Sequence, residues 1–228
     1  MKEHDDYLKR EADYQDLKIS QNPRECLNSF YNDESSKYRK KCYDEAIGDL
    51  YKKKVLDLGC GDGLASLKAL RDGAYVTAID ISPKSIDYLI ILAKKENLNH
   101  RLDARVMDAH KLEFEDEEFD IVFGNGILHH LTNLECAMLE IKRVLKVSGY
   151  AVFLEPLGMN PFINFFRKMT PDFRTSDEKP FRMHELAIIR KIFPNVQFSY
   201  FECATLFTKI TFIQKMSWLL LIKMVKLK

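Results

Sequence analysis

The stretch VLDLGCGDG, residues 55–63, constrains the fold of this chain more than any other part of it. A short, mostly apolar run leads into a turn with glycine at every second position. Such a run is typical of a strand buried on both faces of a sheet, and glycines let a ligand approach the backbone of the turn. Two acids, Asp57 in the run and Asp62 in the turn, would repel a phosphate there. The stretch therefore predicts a strand followed by a ligand-binding turn that is unsuited to phosphate.

Strand and helix patterns alternate from Lys54 onward. The predicted strands are KVLDL, YVTAID, ARVMDA, FDIVFGNG and YAVFLEP, with helices over Leu64–Arg71, Pro83–Asn97 and Leu134–Lys146. A helix over Arg182–Ile192 and two strand-like segments, Val196–Phe207 and the tail WLLLIKMVKLK, follow. This alternation is typical of α/β folds. We expect a Rossmann-like, doubly wound, seven-stranded and mainly parallel sheet with helices on both faces.

Composition and charge narrow the function classes. The formal net charge of +1 argues against a nucleic-acid partner, because phosphate binding favours a strongly basic surface. Five cysteines without a CxxC pair predict neither a zinc cluster nor a disulfide framework, and we expect no bound metal. Reduced thiols, with no signal peptide and no spanning apolar run, favour a cytoplasmic location.

The C-terminal stretch from Phe207 carries five lysines and no acid. A basic, apolar segment of this kind could lie on an anionic membrane surface. An ordinary final strand with exposed lysines is the interpretation that we favour.

Acids that follow the first three strands indicate the ligand. Position 64 is not a glycine, so the dinucleotide pattern GxGxxG is not met. Asp80 ends the second strand about 20 residues past the turn, where an acid binds ribose hydroxyls in dinucleotide folds. Asp108, near the end of the third strand, is placed to accept a hydrogen bond from an adenine amino group, and Met107 is placed to pack on the ring. A ligand with a nucleoside, a positive charge and no phosphate is S-adenosylmethionine.

The same motifs resemble a known family. VLDLGCGDG, VTAIDIS, MDAHKLEF…FDIVFGNGILHHL and LKVSGYAVFLEP are similar to successive motifs of class I S-adenosylmethionine-dependent methyltransferases, over residues 54–156. The segment EPLGMNPFINFFRKMTPDFRTSDEKPF resembles a bacterial subgroup of UbiE-like methyltransferases of type 11. Met159 stands where that subgroup often has histidine, which weakens a proton-transfer role at that position.

We expect residues 1–228 to form a single methyltransferase domain, because the length suits one α/β unit. We expect residues 1–50 to form a helical N-terminal cap and residues 54–156 to form a cofactor-binding core. Residues 157–181 predict a lid inserted after the fifth strand. Residues 182–228 predict a C-terminal helix and closing strands.

The resemblance implies a set of cofactor-binding residues. They are Asp57, Gly59, Cys60, Gly61, Gly63, Asp80, Ile81, Met107, Asp108, Ala109, Asn125 and Gly126. The glycines would line the methionine part of the cofactor, and Asp57 would orient its ammonium group. Ile81 would pack on the adenine, and the backbone of Asn125 would contact the methionyl end.

Three residues at the ends of the fourth and fifth strands are candidates for catalysis. His129 and His130 follow the fourth strand, where either could act as a general base or could simply pack in the following helix. Glu155 ends the fifth strand, where it could face the ligand or pair with an arginine of the lid.

The lid supplies candidates for substrate binding. Arg167 and Arg174 could grip an anionic group, and Phe162 could form part of an apolar mouth. A solvated lid surface is the alternative. The lid hypothesis favours an apolar acceptor that carries an anionic group.

The sequence thus predicts an S-adenosylmethionine-dependent methyltransferase that acts on a small molecule by in-line displacement and releases S-adenosylhomocysteine. The methylated atom (O, N, S or C) and the oligomeric state stay open. A non-catalytic S-adenosylmethionine-binding protein is one alternative. A nicotinamide-dependent oxidoreductase is another, although Asp57 and the missing GxGxxG argue against it.

Overall fold

The sheet and its helices are seen in a computed structural model that describes residues 2–20, 34–156, 181–201 and 219–226. The strands are β1 (Lys54–Leu58), β2 (Tyr75–Asp80), β3 (Leu102–Val106), β4 (Phe119–Asn125), β5 (Leu145–Pro156), β6 (Gln197–Phe201) and β7 (Leu219–Val225). The helices are α1 (Lys2–Ser20), α2 (Glu34–Ile47), α3 (Leu64–Arg71), α4 (Pro83–Lys95), α5 (Leu134–Val144) and α6 (Met183–Ile192). Short 3₁₀ turns cover Asn99–Arg101 and Leu128–His130.

The strands form one seven-stranded sheet in the order β3-β2-β1-β4-β5-β7-β6. The pairs among β1 to β5 are parallel, and β7 runs antiparallel to both β5 and β6. This order confirms the predicted Rossmann-like, mainly parallel sheet. The strand order reverses between β1 and β4, and open parallel sheets bind ligands at the carboxyl ends of the strands beside such a reversal.

Apolar residues cover both faces of the sheet, as predicted. Alternate residues of β1 belong to opposite clusters: Val55 packs with side chains of α2, α3 and α4, whereas Leu56 packs with side chains of α5 and α6. Because strand side chains alternate between faces, Asp57 shares the face of Val55. Its carboxylate is therefore buried beside α3 rather than exposed at the strand end.

Local sequence signals fix the helix starts. Ser82 caps α4 by accepting a hydrogen bond from the Ser85 N–H at 3.0 Å, and Pro83 occupies the first turn. Asn133 caps α5 in the same way through the Cys136 N–H at 3.0 Å. Both helices begin where the sequence predicts them.

Several predicted boundaries are wrong. β3 spans Leu102–Val106 rather than residues 104–109, so Met107, Asp108 and Ala109 lie in the loop beyond it. The helix predicted to reach Lys146 ends at Val144, and β5 begins at Leu145 rather than Tyr150. The early start of β5 follows from the pairing of Leu145 with Phe119, before the register shifts between Phe119 and Ile121.

The favoured interpretation of the basic tail as a final strand is confirmed for Leu219–Val225. Two of its lysines contact the protein itself. Lys223 donates to the Ala46 carbonyl at 2.8 Å, and Lys226 donates to the Leu145 carbonyl at 2.7 Å. Within the described part of the chain, no helix has the length and apolar character needed to cross a bilayer.

The turn after β1 depends on glycine backbone geometry. Gly63 has φ +74°, and a Cβ placed there would lie 2.8 Å from Leu89 Cδ1 and 3.1 Å from Leu89 Cβ. Gly61 has φ +50°, and a Cβ placed there would meet nothing within 4 Å. Both backbones favour glycine, but only Gly63 lacks room for a side chain.

The two glycines give a matched test of this packing. We expect Gly61→Ala to lower the free energy of unfolding by about 1 kcal/mol, the cost of a left-handed alanine. Gly63→Ala should lower it by about 2–4 kcal/mol, because overpacking against Leu89 adds to that strain. Urea denaturation of both variants measures the difference. Equal losses would show that the Leu89 contact is unimportant.

Candidate cofactor site

A cavity of about 230 Å³ lies between α1 and the loops that follow β1, β2, β3 and β4. Predicted cofactor residues that line it are Gly59, Gly61, Asp80, Ile81, Met107, Asp108, Ala109, Asn125 and Gly126. The described lining does not include the other three, Asp57, Cys60 and Gly63. Most of the predicted cofactor residues therefore meet at one cavity, at the carboxyl ends of the strands.

Asp80 joins the glycine turn to the start of α4. One carboxylate oxygen accepts a hydrogen bond from the Gly61 N–H, and the other accepts one from the Ser82 N–H, both at 2.9 Å. Burial raises the pKa of Asp80, and these two N–H groups counteract part of that rise. Carboxylate oxygens each accept more than one hydrogen bond, so Asp80 retains capacity for ligand hydroxyls.

Asp108 lies just beyond β3 and is held by two histidines. It accepts hydrogen bonds from His110 Nδ1 at 2.6 Å, from the His110 N–H at 2.9 Å and from His4 Nε2 at 3.0 Å. Burial alone would raise the pKa of Asp108, but the hydrogen bonds from His110 and His4 lower it below its usual range. Asp108 is therefore an ionised acceptor at the cavity wall.

The same three side chains have the spacing of a metal-binding group, since their ligand atoms lie within 4.8 Å of one another. The hydrogen bonds favour a proton on the His110 nitrogen that faces Asp108, rather than a metal ion there. His110 Nε2 accepts from the Asn133 N–H at 3.2 Å, which leaves the proton of a neutral imidazole on Nδ1. That proton points to Asp108. The three side chains therefore form a hydrogen-bonded network in which His110 Nδ1 is protonated.

Asp57 is 2% exposed, and its carboxylate accepts a hydrogen bond from the Ser66 hydroxyl at 2.6 Å. Burial raises the pKa of Asp57 to about 7, an effect that Ser66 opposes and the nearby charge of Asp80 reinforces. The Asp57–Ser66 hydrogen bond ties β1 to α3 next to the glycine turn. Contact between Asp57 and the ammonium group of a cofactor stays a prediction.

Glu155, predicted as a catalytic residue, is completely buried at the end of β5. Its carboxylate accepts hydrogen bonds from the Ile127 N–H at 2.9 Å, the Leu128 N–H at 2.8 Å and His129 Nδ1 at 2.8 Å. It therefore holds the 3₁₀ turn after β4 in place. The described lining of the cavity includes neither Glu155 nor His129.

His130 is the one of the three predicted catalytic residues that lines the cavity. Its Nδ1 lies 3.2 Å from Glu11 Oε1, and both side chains are largely buried. The Tyr7 hydroxyl donates a hydrogen bond to the His130 carbonyl oxygen. The His129 ring packs on the His130 ring at a centroid distance of 4.1 Å. Contacts from both α1 and the β4 turn thus position His130.

Helix α1 forms a wall of the cavity that the sequence interpretation missed. Tyr7, Leu8, Glu11 and Gln15 all line it. Residues 7, 11 and 15 recur at intervals of four, so they share one face of the helix. That spacing was the available signal, but a polar helix face does not by itself indicate a binding wall. The predicted substrate residues Phe162, Arg167 and Arg174 lie outside the described residues.

A comparison with protein families shows what the region around this cavity is similar to. Residues 56–153 match the family model described as a methyltransferase domain. This part of the chain, less than half of its length, is therefore similar to a methyltransferase domain. The match confirms the resemblance drawn from the sequence motifs, and it covers all four loops that line the cavity from the sheet side.

Curated relatives align with the chain over about 97 residues. The chain is 37% identical over 97 residues to sterol 24-C-methyltransferase ERG6B of Gibberella zeae, which covers 42% of this chain and 26% of that protein. It is 34% identical over 96 residues to ubiquinone biosynthesis O-methyltransferase of Pelagibacter ubique, which covers 42% of this chain and 39% of that protein. The chain thus spans less than half the length of these curated relatives.

Solved structures share the fold over most of the chain. One chain matches from the complex between the Haloferax volcanii Trm112 methyltransferase activator and a methyltransferase. The TM-score is 0.71 and the identity 17%, over 94% of this chain and 98% of that chain. Geranyl diphosphate C-methyltransferase of Streptomyces coelicolor, in complex with S-adenosyl-L-homocysteine, matches with a TM-score of 0.67 and 15% identity, over 84% and 76%. These likenesses establish the methyltransferase fold.

The buried Asp57 predicts a pH dependence of stability. Its pKa is about 7 in the folded chain against an ordinary value of 3.8, so between those values the folded state binds a proton that the unfolded state lacks. The contribution of Asp57 to the free energy of unfolding is therefore fully present below about pH 4. It is lost as the pH rises towards 7.

Chemical denaturation from pH 4 to 7 measures this effect. The free energy of unfolding of the wild type, relative to Asp57→Asn, should fall by about 1.4 kcal/mol for each unit of pH in the window. The exposed Asp87→Asn variant should keep the wild-type profile. Parallel profiles for wild type and Asp57→Asn would contradict the prediction.

A second prediction concerns the role of Glu155. Glu155→Gln replaces an accepting oxygen with an NH₂ group that faces N–H donors, so we expect a loss of about 2–4 kcal/mol in the free energy of unfolding. Glu135→Gln is a matched control, because Glu135 is half-exposed and pairs with Lys191 at 3.0 Å; its loss should stay within about 1 kcal/mol. Similar small losses in both variants would argue against a positioning role for Glu155.

Proposed function

We propose that this protein is an S-adenosylmethionine-dependent methyltransferase that acts on a small-molecule acceptor. The observation that carries the proposal is the arrangement of Asp80 and Asp108 after adjacent strands, facing one cavity with the glycine turn after β1. The methyltransferase domain match supports it independently. Relatives named for ubiquinone and sterol methylation make a small molecule the natural acceptor class.

The chain's own residues could hold three parts of the cofactor: its ribose, its adenine and its methionine part. Asp80 would accept the ribose hydroxyls, and Asp108 would accept the adenine amino group. Met107 would pack against the adenine, while Gly59 and Gly61 would leave room for the methionine part beside the backbone. These groups all line the cavity, so no rearrangement of the sheet loops is needed to bring them together.

The charge of the cavity wall favours a cationic ligand. Its described lining contains three carboxylates, those of Glu11, Asp80 and Asp108, and neither lysine nor arginine. A dinucleotide would place a pyrophosphate among these acids, which costs Coulomb energy in a partly buried site. A sulfonium with an ammonium group gains energy there. The lining therefore supports S-adenosylmethionine over a nicotinamide cofactor.

When bound, the cofactor supplies a methyl group on a good leaving group. The chain must align the acceptor with that methyl group at about 3–3.5 Å and exclude water. Leu131 and the α1 side chains Tyr7 and Leu8 would exclude water, since they line the cavity. His130 is the described side chain best placed to take a proton from an acceptor that still holds one.

A cytoplasmic location belongs to the same proposal. Cys42, Cys60 and Cys136 carry free thiols. Free thiols favour a reducing compartment. Contact between the lysine-rich tail and a membrane is not part of the proposal, because Lys223 and Lys226 contact carbonyl oxygens of the protein.

Calorimetric titration with S-adenosylhomocysteine tests the cofactor assignment. We expect the wild type to bind it and Asp80→Ala to weaken binding at least about 100-fold, because two charge-assisted hydrogen bonds to the ribose are lost. Asp87→Ala, an exposed acid on α4, should bind like the wild type. Thermal unfolding of each variant checks that the fold is kept.

Two results would contradict the proposal. One is a wild type that binds NADH in the same titration and not S-adenosylhomocysteine. The other is an Asp80→Ala variant that stays folded and binds S-adenosylhomocysteine as tightly as the wild type.

A further inference from the structure

Helix α1 closes the cofactor cavity on the side away from the sheet. Four of its residues form that wall, and the cavity measures about 230 Å³. Sites for drug-sized ligands and cofactors usually measure about 300–1,000 Å³. With α1 in this position the cavity is smaller than most sites of that kind.

The N-terminal end of α1 occupies the partner proposed for adenine. His4 Nε2 lies 3.0 Å from Asp108 Oδ2, and the other carboxylate oxygen is engaged by His110. Thr132 Oγ1 lies 3.2 Å from His4 Nδ1, which fits a hydroxyl donating to Nδ1 and a proton on Nε2. The His4 ring also packs edge-on against His110 at 4.9 Å. His4 thus presents an N–H to Asp108, as an adenine amino group would.

The C-terminal end of α1 is attached elsewhere. Asp16 Oδ1 lies 2.5 Å from Ser82 Oγ and 3.3 Å from the Lys84 N–H, at the N-terminus of α4. An acid at a helix N-terminus is favoured by the helix dipole. The Ser20 hydroxyl also accepts from Lys84 Nζ at 3.2 Å. The two ends of α1 therefore rest on separate parts of the molecule, α4 at one end and the Asp108 loop at the other.

We propose that the N-terminal end of α1 is a gate over the cofactor site, with His4 as the contact that adenine must displace from Asp108. This inference rests on the proposed function. In the closed state His4 holds Asp108; in the open state that end of the helix swings away while Asp16 stays on α4. The gate therefore competes with the adenine end of the cofactor and leaves the Asp80 end in place.

A gate of this kind lowers the apparent affinity for the cofactor. When only a fraction of the molecules is open, the apparent Kd is the intrinsic Kd divided by that fraction. Removing the His4 imidazole raises the open fraction and should tighten binding. A purely structural role for His4 would leave affinity unchanged or weaken it.

The test is a titration of S-adenosylhomocysteine into wild type, His4→Ala and Lys9→Ala. We expect His4→Ala to bind about threefold to tenfold more tightly, because one hydrogen bond to an ionised carboxylate no longer opposes binding. Lys9 is exposed on the same helix, so Lys9→Ala should match the wild type. Hydrogen exchange without ligand should be faster in residues 4–11 of His4→Ala than of wild type, with α4 unchanged.

The outcomes separate the two proposals. Equal or weaker binding by His4→Ala, while wild type and Lys9→Ala bind normally, overturns the gate and leaves the cofactor assignment standing. Failure of all three proteins to bind S-adenosylhomocysteine contradicts the proposed function and the gate together. Unchanged exchange in residues 4–11 of His4→Ala also overturns the gate.

Discussion

The candidate site depends on the hydrogen bonds of the Asp80 carboxylate. This carboxylate is buried at the end of β2 and accepts one N–H from the glycine turn and one from the start of α4. Burying a carboxylate is costly unless hydrogen bonds compensate for lost water. These two bonds compensate for part of that cost, and they fix the turn and α4 relative to each other. Asp57 lies close enough for the charge of Asp80 to raise its pKa further, so the two carboxylates repel each other in the folded chain.

The sheet and most of the residues on the sheet side of the cavity could be predicted from the sequence because the signals are local. KVLDL, YVTAID and FDIVFGN are apolar runs whose burial needs a covered parallel sheet, and the acid after β2 has a fixed place in such folds. The ends of the strands are harder to predict from local patterns. ARVMDA is rich in apolar residues, which suits a strand, yet pairing with β2 ends at Val106. Asp108 instead accepts a hydrogen bond from the His110 N–H two positions on.

Contacts between distant parts of the chain were not predictable in the same way. Nothing in HDDYLKREADYQ indicates that His4 reaches Asp108, 104 positions away, because a polar helix pairs with any complementary surface. For Glu155 the sequence left two alternatives open, a ligand-facing acid or a partner of a lid arginine. Its position at a strand end is typical of a ligand-facing acid, but two backbone N–H groups and His129 engage its carboxylate. Whether a strand-end acid faces ligand or loop depends on the neighbouring turn, which the sequence pattern does not reveal.

A crystal structure of the protein with S-adenosylhomocysteine would show whether the ligand contacts Asp80 and replaces His4 on Asp108. We expect the ribose hydroxyls on Asp80, the adenine amino group on Asp108, and the His4 ring displaced from that carboxylate. An adenine seated elsewhere, or one that binds while the His4–Asp108 hydrogen bond stays intact, would contradict this expectation.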